Sequence, residues 1–210
     1  MGIVVVVLLG LAVAGDRFAA AYAESKIASE IQKQGFGAKP NVSIDGFPFL
    51  TQVAARHFQH AHMSARNVRE GPLTINRIDG AVSDVRVDSG FRKGTIGSVD
   101  GTATIAFGNL TQAADQSGVE LSAAGPDKVK MAVDLDIVSG SAIAQVTKVG
   151  RDQIRVHVTS VEGFSLSDLG SQDLDFTVPV TDLPLGMRFE SVRVTSKGVQ
   201  LRITGSNIAF

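Results

Sequence analysis

Asp16-Arg17-Phe18-Ala19-Ala20-Ala21-Tyr22-Ala23-Glu24-Ser25-Lys26-Ile27-Ala28-Ser29-Glu30-Ile31-Gln32-Lys33-Gln34 is the one long stretch that reads as helix. Ala20, Ala23, Ile27 and Ile31 recur at helical spacing and make one apolar stripe. Glu24, Lys26, Glu30 and Lys33 supply polar cover, and Gly35 stands where a helix stop is expected. Phe18 and Tyr22 point to another side. The stripe is mostly alanine, so the helix is slender there. Nearly everything after it reads as strand, so many half-apolar strands must cover themselves with this one helix. A sheet curling around one helix tends to leave a groove, and an apolar groove suits a lipid. A complete, dry core is the alternative that periodicity leaves open.

Before the helix, Ile3–Ala14 is an unbroken run of apolar or small residues. It is shorter than the roughly 20 residues of a spanning helix. It suits the apolar region of an export signal, with Ala12-Val13-Ala14 as a small-residue cleavage site. The basic segment that usually precedes such a run is missing. Residues 1–14 are therefore expected to be an export signal or, if the run continues into the helix, a membrane anchor. A buried strand at Val4–Leu9 is the competing reading.

After Gly35, Asn41–Asp45 reads as a short strand. In Gly46-Phe47-Pro48-Phe49-Leu50-Thr51-Gln52, glycine and proline argue against a regular helix or a central strand. Phe47, Phe49 and Leu50 form an apolar knot that either plugs the core or lines the mouth of a pocket. Val53–Val68 reads as strand carrying His57, His60 and His62. His60 and His62 would share a face and His57 would oppose them, which leaves no complete metal site. Leu73–Ile78 and Ala81–Asp88 read as strands about a turn at Asp79-Gly80. Gly90–Gly97 reads as a polar loop whose Arg92 and Lys93 are either solvated or meet a lipid phosphate. Ser98–Phe107 reads as strand, and Asn109 as the cap of a short helix, Leu110–Gln116.

The second half alternates more cleanly. Val129, Met131, Val133, Leu135 and Ile137 share one face. Ala142–Val149 follows a turn at Ser139-Gly140-Ser141. Ile154, Val156 and Val158 oppose Arg155, His157 and Thr159. A short helical turn at Ser165–Leu169 precedes the alternating Leu174, Phe176, Val178 and Val180. After the apolar loop Leu183–Met187, two strands meet across Lys197-Gly198 as a tight hairpin. Nine to eleven strands joined by short turns predict an α+β fold of mostly antiparallel β-sheet, in one domain spanning residues 15–210.

Composition narrows the function. The 210 residues carry a formal net charge of −1 with no basic run, which argues against nucleic acid as a partner. Without cysteine there is no disulfide, thiolate metal site or cysteine nucleophile. Gly163-Phe164-Ser165-Leu166-Ser167 lacks the closing glycine of a nucleophile elbow. Asp134/Asp136 and Asp173/Asp175 lie on polar strand faces. No catalytic residue, metal or cofactor is nominated, and the chain does not read as an enzyme. The groove candidates are Ile27, Ile31, Phe47, Phe49, Leu50, Met131, Val133 and Leu135, each of which also suits ordinary core.

Several stretches together resemble the actinobacterial LmeA-like phospholipid-binding family. They are Ala14-Gly15-Asp16-Arg17, Ala23-Glu24-Ser25-Lys26-Ile27-Ala28 and Val42-Ser43-Ile44-Asp45-Gly46-Phe47-Pro48-Phe49-Leu50-Thr51-Gln52. Phe107-Gly108-Asn109-Leu110, Leu183-Pro184-Leu185-Gly186-Met187-Arg188-Phe189 and Val192–Val199 extend the likeness over nearly the whole chain. The most specific part is Gly46–Gln52, and the missing basic N-terminal segment is the clearest departure. The resemblance implies a tubular lipid-binding (TULIP-like) fold, in which a long helix is wrapped by a strongly curved antiparallel sheet. It implies an exported protein of the periplasm or the outer face of the plasma membrane. Its partner would be phospholipid, with phosphatidylinositol or another anionic lipid as candidates. It also implies a role in lipomannan and lipoarabinomannan mannan-chain elongation or envelope maintenance. The competing functions are a ligand-free envelope scaffold tethering glycosyltransferases or wall components, and a cryptic hydrolase of lipid-linked glycans.

Overall fold

The computed structural model describes residues 2–33, 38–116, 118–135, 138–162, 175–180 and 188–210. It is an α+β fold of one long N-terminal helix and antiparallel sheets, one of them strongly curled into a half-barrel. Helix α1 spans Gly2–Lys33, followed by β1 (Asn41–Ile44), α2 (Phe49–Ala55), β2 (His57–Glu70), β3 (Leu73–Val87) and β4 (Gly94–Ile105). Next come α3 (Phe107–Ala113), β5 (Val119–Ala123), β6 (Lys128–Leu135), β7 (Val138–Val149) and β8 (Gln153–Val161). Strands β9 (Phe176–Pro179), β10 (Arg188–Thr195) and β11 (Gly198–Ala209) complete the order. One sheet has the order β1-β2-β3-β4-β11-β10 and the other β5-β6-β7-β8-β9.

The chain divides into two compact units. The first comprises residues 1–66, 79–101 and 205–210. The second comprises residues 67–78 and 102–204.

In the first unit, α1 runs without a break through the apolar stretch and the amphipathic stretch alike. Its 32 residues make a rod of about 48 Å. This replaces the strand reading of Val4–Leu9, because Val5–Leu9 are helical and exposed. It also moves the helix start from Asp16 to Gly2, whereas Gly35 lies outside the described residues. The buried side of α1 is Asp16, Ala20 and Ala28, with Ala19 and Ala23 half-buried. Ile27 faces out. Ala20 packs with Ile44 of β1 and Phe49 of α2, where its small side chain lets the helix approach both elements. Glu24 accepts the N–H of Ile44 at 2.8 Å, so α1 satisfies a donor on β1, a strand at the end of its sheet.

Strand β3 runs unbroken through Asp79-Gly80, where a turn was expected. The reason lies across the ladder. A Cβ at Gly101 of β4 would meet the Asp79 carbonyl oxygen at 2.9 Å and the Gly80 Cα at 3.2 Å, so these glycines permit close backbone approach rather than a reversal. Likewise, Gly94–Gly97 is strand, not loop. Local bends are supplied by Asn and Asp in the left-handed region: Asn67 in β2, Asp84 in β3 and Asn207 in β11, with φ of 52°, 56° and 51°.

In the second unit, the five-stranded sheet shows the expected alternation. Ile154, Val156 and Val158 are buried between exposed neighbours. Across the ladder Val129 faces Ala144, which faces Val158, and Val146 faces Val156, which faces Phe176. These rows form one apolar face. Residues 139–141 belong to β7 and are not a turn. The β10–β11 hairpin closes through Ser196-Lys197, with Thr195 opposite Gly198 at φ 134°. Asn109 lies inside α3 rather than capping it. Its side-chain amide donates to the Thr74 carbonyl (3.1 Å) and to Asn76 Oδ1 (2.9 Å), tying the helix to β3. The expected elements at Ser165–Leu169 and Leu183–Met187, and Ile137, lie outside the described residues.

Candidate functional site

Gly46–Gln52, the most specific stretch of the sequence, forms a knuckle where β1 gives way to α2. Helix α2 was not expected there. It begins directly after Pro48, whose extended φ and ψ (−76°, 140°) suit the position before a helix but whose side chain cannot cap it. The cap comes instead from α1. Asp16 Oδ2 accepts the Phe49 N–H at 2.9 Å, and Asp16 Oδ1 accepts the Leu50 N–H at 2.8 Å. Arg17 donates to Asp16 Oδ2 and to the Gly46 carbonyl (2.8 and 2.9 Å), and its guanidinium lies 5.4 Å from the Phe47 ring centroid. Gln52 donates to the Asp45 carbonyl at 2.9 Å and completes the fastening.

The knuckle sorts its three apolar residues. Phe49 turns inward and packs with Ala20 and Ile44, bordered by Ala23, Val53 and Phe58. Its ring centroid is 6.2 Å from that of Phe58. Phe47 and Leu50 turn outward and are 60% and 52% exposed. On α1 itself, in the turns after Asp16, Phe18 is 78% exposed and Tyr22 is exposed as well.

The remaining candidates are distributed as follows. On α1, Ile27 is exposed and Ile31 half-buried. Beside them a shallow depression of about 310 Å³ is lined by Tyr22, Ser25, Lys26, Ser29, Glu30 and Lys33. That lining is too polar to receive an acyl chain. Met131 belongs to the second unit and is buried on the apolar face of the five-stranded sheet, opposite Ala142. Val133 and Leu135 are part of β6, and their side chains lie outside the described residues. Asp16, the residue that positions the knuckle, was missed by the sequence reading. The signal for it was a lone carboxylate falling in register with Ala20 and Ala28, where an apolar residue would be expected.

The histidines are spent on local pairs. His57 contacts Asp84 (2.6 Å), His60 contacts Ser83 (3.1 Å), His62 contacts Asp45 (2.8 Å) and His157 contacts Asp175 (2.5 Å). Ser83 and Asp84 engage different imidazoles, so these groups do not compose a Ser-His-Asp relay. Among the described residues no group of three or more His, Asp or Glu is placed to hold a metal ion. At the β3–β4 turn, Asp88 accepts the N–H groups of Arg92 and Lys93, which holds its carboxyl below the usual range against a smaller opposing effect of desolvation. Arg92 and Lys93 are exposed beside Phe91.

Only one helix, α1, is long and apolar enough over Val5–Lys33 to cross a membrane among the described residues, and its most apolar window is 11% buried. A family model described as LmeA-like phospholipid-binding matches residues 14–204. No curated protein and no solved structure matches the chain.

Proposed function

From the premise that the chain belongs to the LmeA-like phospholipid-binding family, we propose that it is a non-enzymatic phospholipid-binding protein of the cell envelope. The match over residues 14–204 is the observation that carries this reading, because it takes in both units. The protein would hold acyl chains against apolar side chains and leave the headgroup at a polar rim. Each methylene taken out of water contributes about 0.8 kcal/mol, so even a short groove gives useful affinity. Ile27, Ile31, Phe47, Phe49, Leu50, Met131, Val133 and Leu135 are the wall candidates. An anionic lipid such as phosphatidylinositol is the proposed ligand, and support of mannan-chain elongation on lipomannan and lipoarabinomannan, or envelope maintenance, is the proposed process. The apolar half of α1 supports export, and we read it as the segment that attaches the protein to the outer face of the plasma membrane.

Native mass spectrometry of protein purified gently from a membrane-containing host tests the reading. A discrete added mass that resolves into phospholipid on denaturation is expected. A bare protein mass that persists after incubation with phosphatidylinositol and cardiolipin vesicles would overturn it in favour of a ligand-free scaffold.

A further inference from the structure

Just past the exposed apolar stretch of α1, the structure leaves Phe18 on the helix and Phe47 and Leu50 on the knuckle facing outward. We propose that Phe18, Phe47 and Leu50, with Arg17, form a membrane-interface seat that holds the first unit against the phospholipid bilayer.

The argument is geometric. Helix α1 is continuous from its exposed apolar stretch through Val13 to Phe18. Five residues of helix advance about 7.5 Å, comparable with the depth of one headgroup layer. The knuckle cannot drift from this level, because both oxygens of Asp16 hold its Phe49 and Leu50 N–H groups. Phe47 and Leu50 are therefore held beside Asp16, just past the apolar stretch of the helix. The knuckle presents them to the outside although Phe49, between them, shows that apolar side chains here can be buried. Aromatic residues are favoured at this depth, where their rings sit at the level of the headgroups. Arg17 supplies the matching charge. Its side chain is 46% exposed and lies over the Phe47 ring; Nε and one terminal nitrogen bond to Asp16 and the Gly46 carbonyl, which leaves the other terminal nitrogen to meet a lipid phosphate at the same depth. A bilayer is favoured over a protein partner because the knuckle is tied to α1 at Asp16, two residues past the exposed apolar stretch that we read as the membrane attachment.

The inference rests on the attachment role of α1 proposed above, and it gives Phe47 and Leu50, two of the wall candidates, to the bilayer surface instead of the acyl-chain groove. Its test uses the full chain in vesicles of phosphatidylcholine and phosphatidylglycerol. The protein has no cysteine, so single labels are clean. Leu8→Cys, Phe47→Cys, Leu50→Cys and Thr177→Cys are each labelled with an environment-sensitive fluorophore. Labels at 47 and 50 are expected to shift to the blue and to lose most of their emission to lipids brominated near the headgroup end of the acyl chain. The label at 177, on an exposed position of β9, should respond only to aqueous iodide. If 8 is lipid-quenched while 47 and 50 respond to iodide as 177 does, the seat is overturned and the anchor stands. If 8 is also aqueous, both fail. If 47 and 50 are shielded from iodide and from brominated lipid alike, a protein covers the patch and the proposal is overturned.

Discussion

The carboxylate of Asp16 accepts the backbone N–H of Phe49, a residue 33 positions later in the chain, at 2.9 Å. Its second oxygen takes the adjacent N–H of Leu50. A seven-residue helix that follows a proline has no side-chain cap of its own, and this one borrows a cap from the long helix. Asp16→Ala would leave the Phe49 donor buried without a partner and is expected to destabilise the protein by about 2 kcal/mol. Asp16→Asn keeps one acceptor oxygen for two donors and should fall between the two. Denaturant unfolding in detergent micelles measures both. An unchanged midpoint for Asp16→Ala would show that the cap is dispensable.

Asp175 gives the second unit an acid-sensitive contact. Burial opposes its ionisation, but the hydrogen bond with His157, the Val158 N–H and the nearby charges of His157 and Arg155 outweigh it, and its pKa is lowered. The ordinary aspartate value is near 3.9. A carboxyl whose folded pKa lies below its unfolded one stabilises the fold above the unfolded value. That contribution is lost as pH falls through the folded value. Stability should therefore decline on acidification below about pH 4, and Asp175→Asn should flatten that decline. Parallel pH profiles for the two proteins would sink the assignment.

Gly198 carries the β10–β11 hairpin. Its φ is 134°, and a Cβ there would stand 2.1 Å from the Ile105 carbonyl oxygen. Backbone strain and a backbone clash act together, and neither is relieved by turning a side chain. Gly198→Ala is expected to cost about 3 kcal/mol or more. A variant that melts with the parent would mean that β4 and the hairpin can move apart freely.

These sites show what was legible in the sequence. Alternation at Ile154, Val156 and Val158 predicted the burial of β8, and Lys197-Gly198 predicted the hairpin, because both are local patterns. Helix α2 was hidden because Pro48 removes the usual local cap and the substitute lies far away on α1. The turn assigned to Asp79-Gly80 failed for a similar reason: glycine there serves an approach to Gly101, and only the partner strand reveals that. On α1 the pattern marked the right element and the right side, since Ala20 is buried and Ala23 and Ile31 are half-buried; only Ile27 departs from it and faces out, while Ala28 and Asp16 join the buried side. Of the candidate wall, Phe49 and Met131 are buried, as core or groove lining would be, and Phe47 and Leu50 face outward, which no periodicity in so irregular a stretch could indicate.

Ile31 offers the most direct test of the wall itself. It is half-buried near the end of α1, so aspartate there meets some water and costs the helix only about 0.5 kcal/mol in intrinsic propensity. Met131 is unsuitable for the same test, because a charge at a buried position would unfold the sheet whether or not lipid binds there. Ile31→Asp is expected to retain the parent's circular dichroism while losing bound phospholipid, since a carboxylate facing an acyl chain has no compensating partner. Ile27→Asp, one turn earlier and more exposed, should lose less. The readout is lipid per protein by native mass spectrometry, set beside the thermal midpoint of each variant. If folded Ile31→Asp takes up as much lipid as the parent, Ile31 is not part of the wall, and the groove must be sought on the inward strand faces instead.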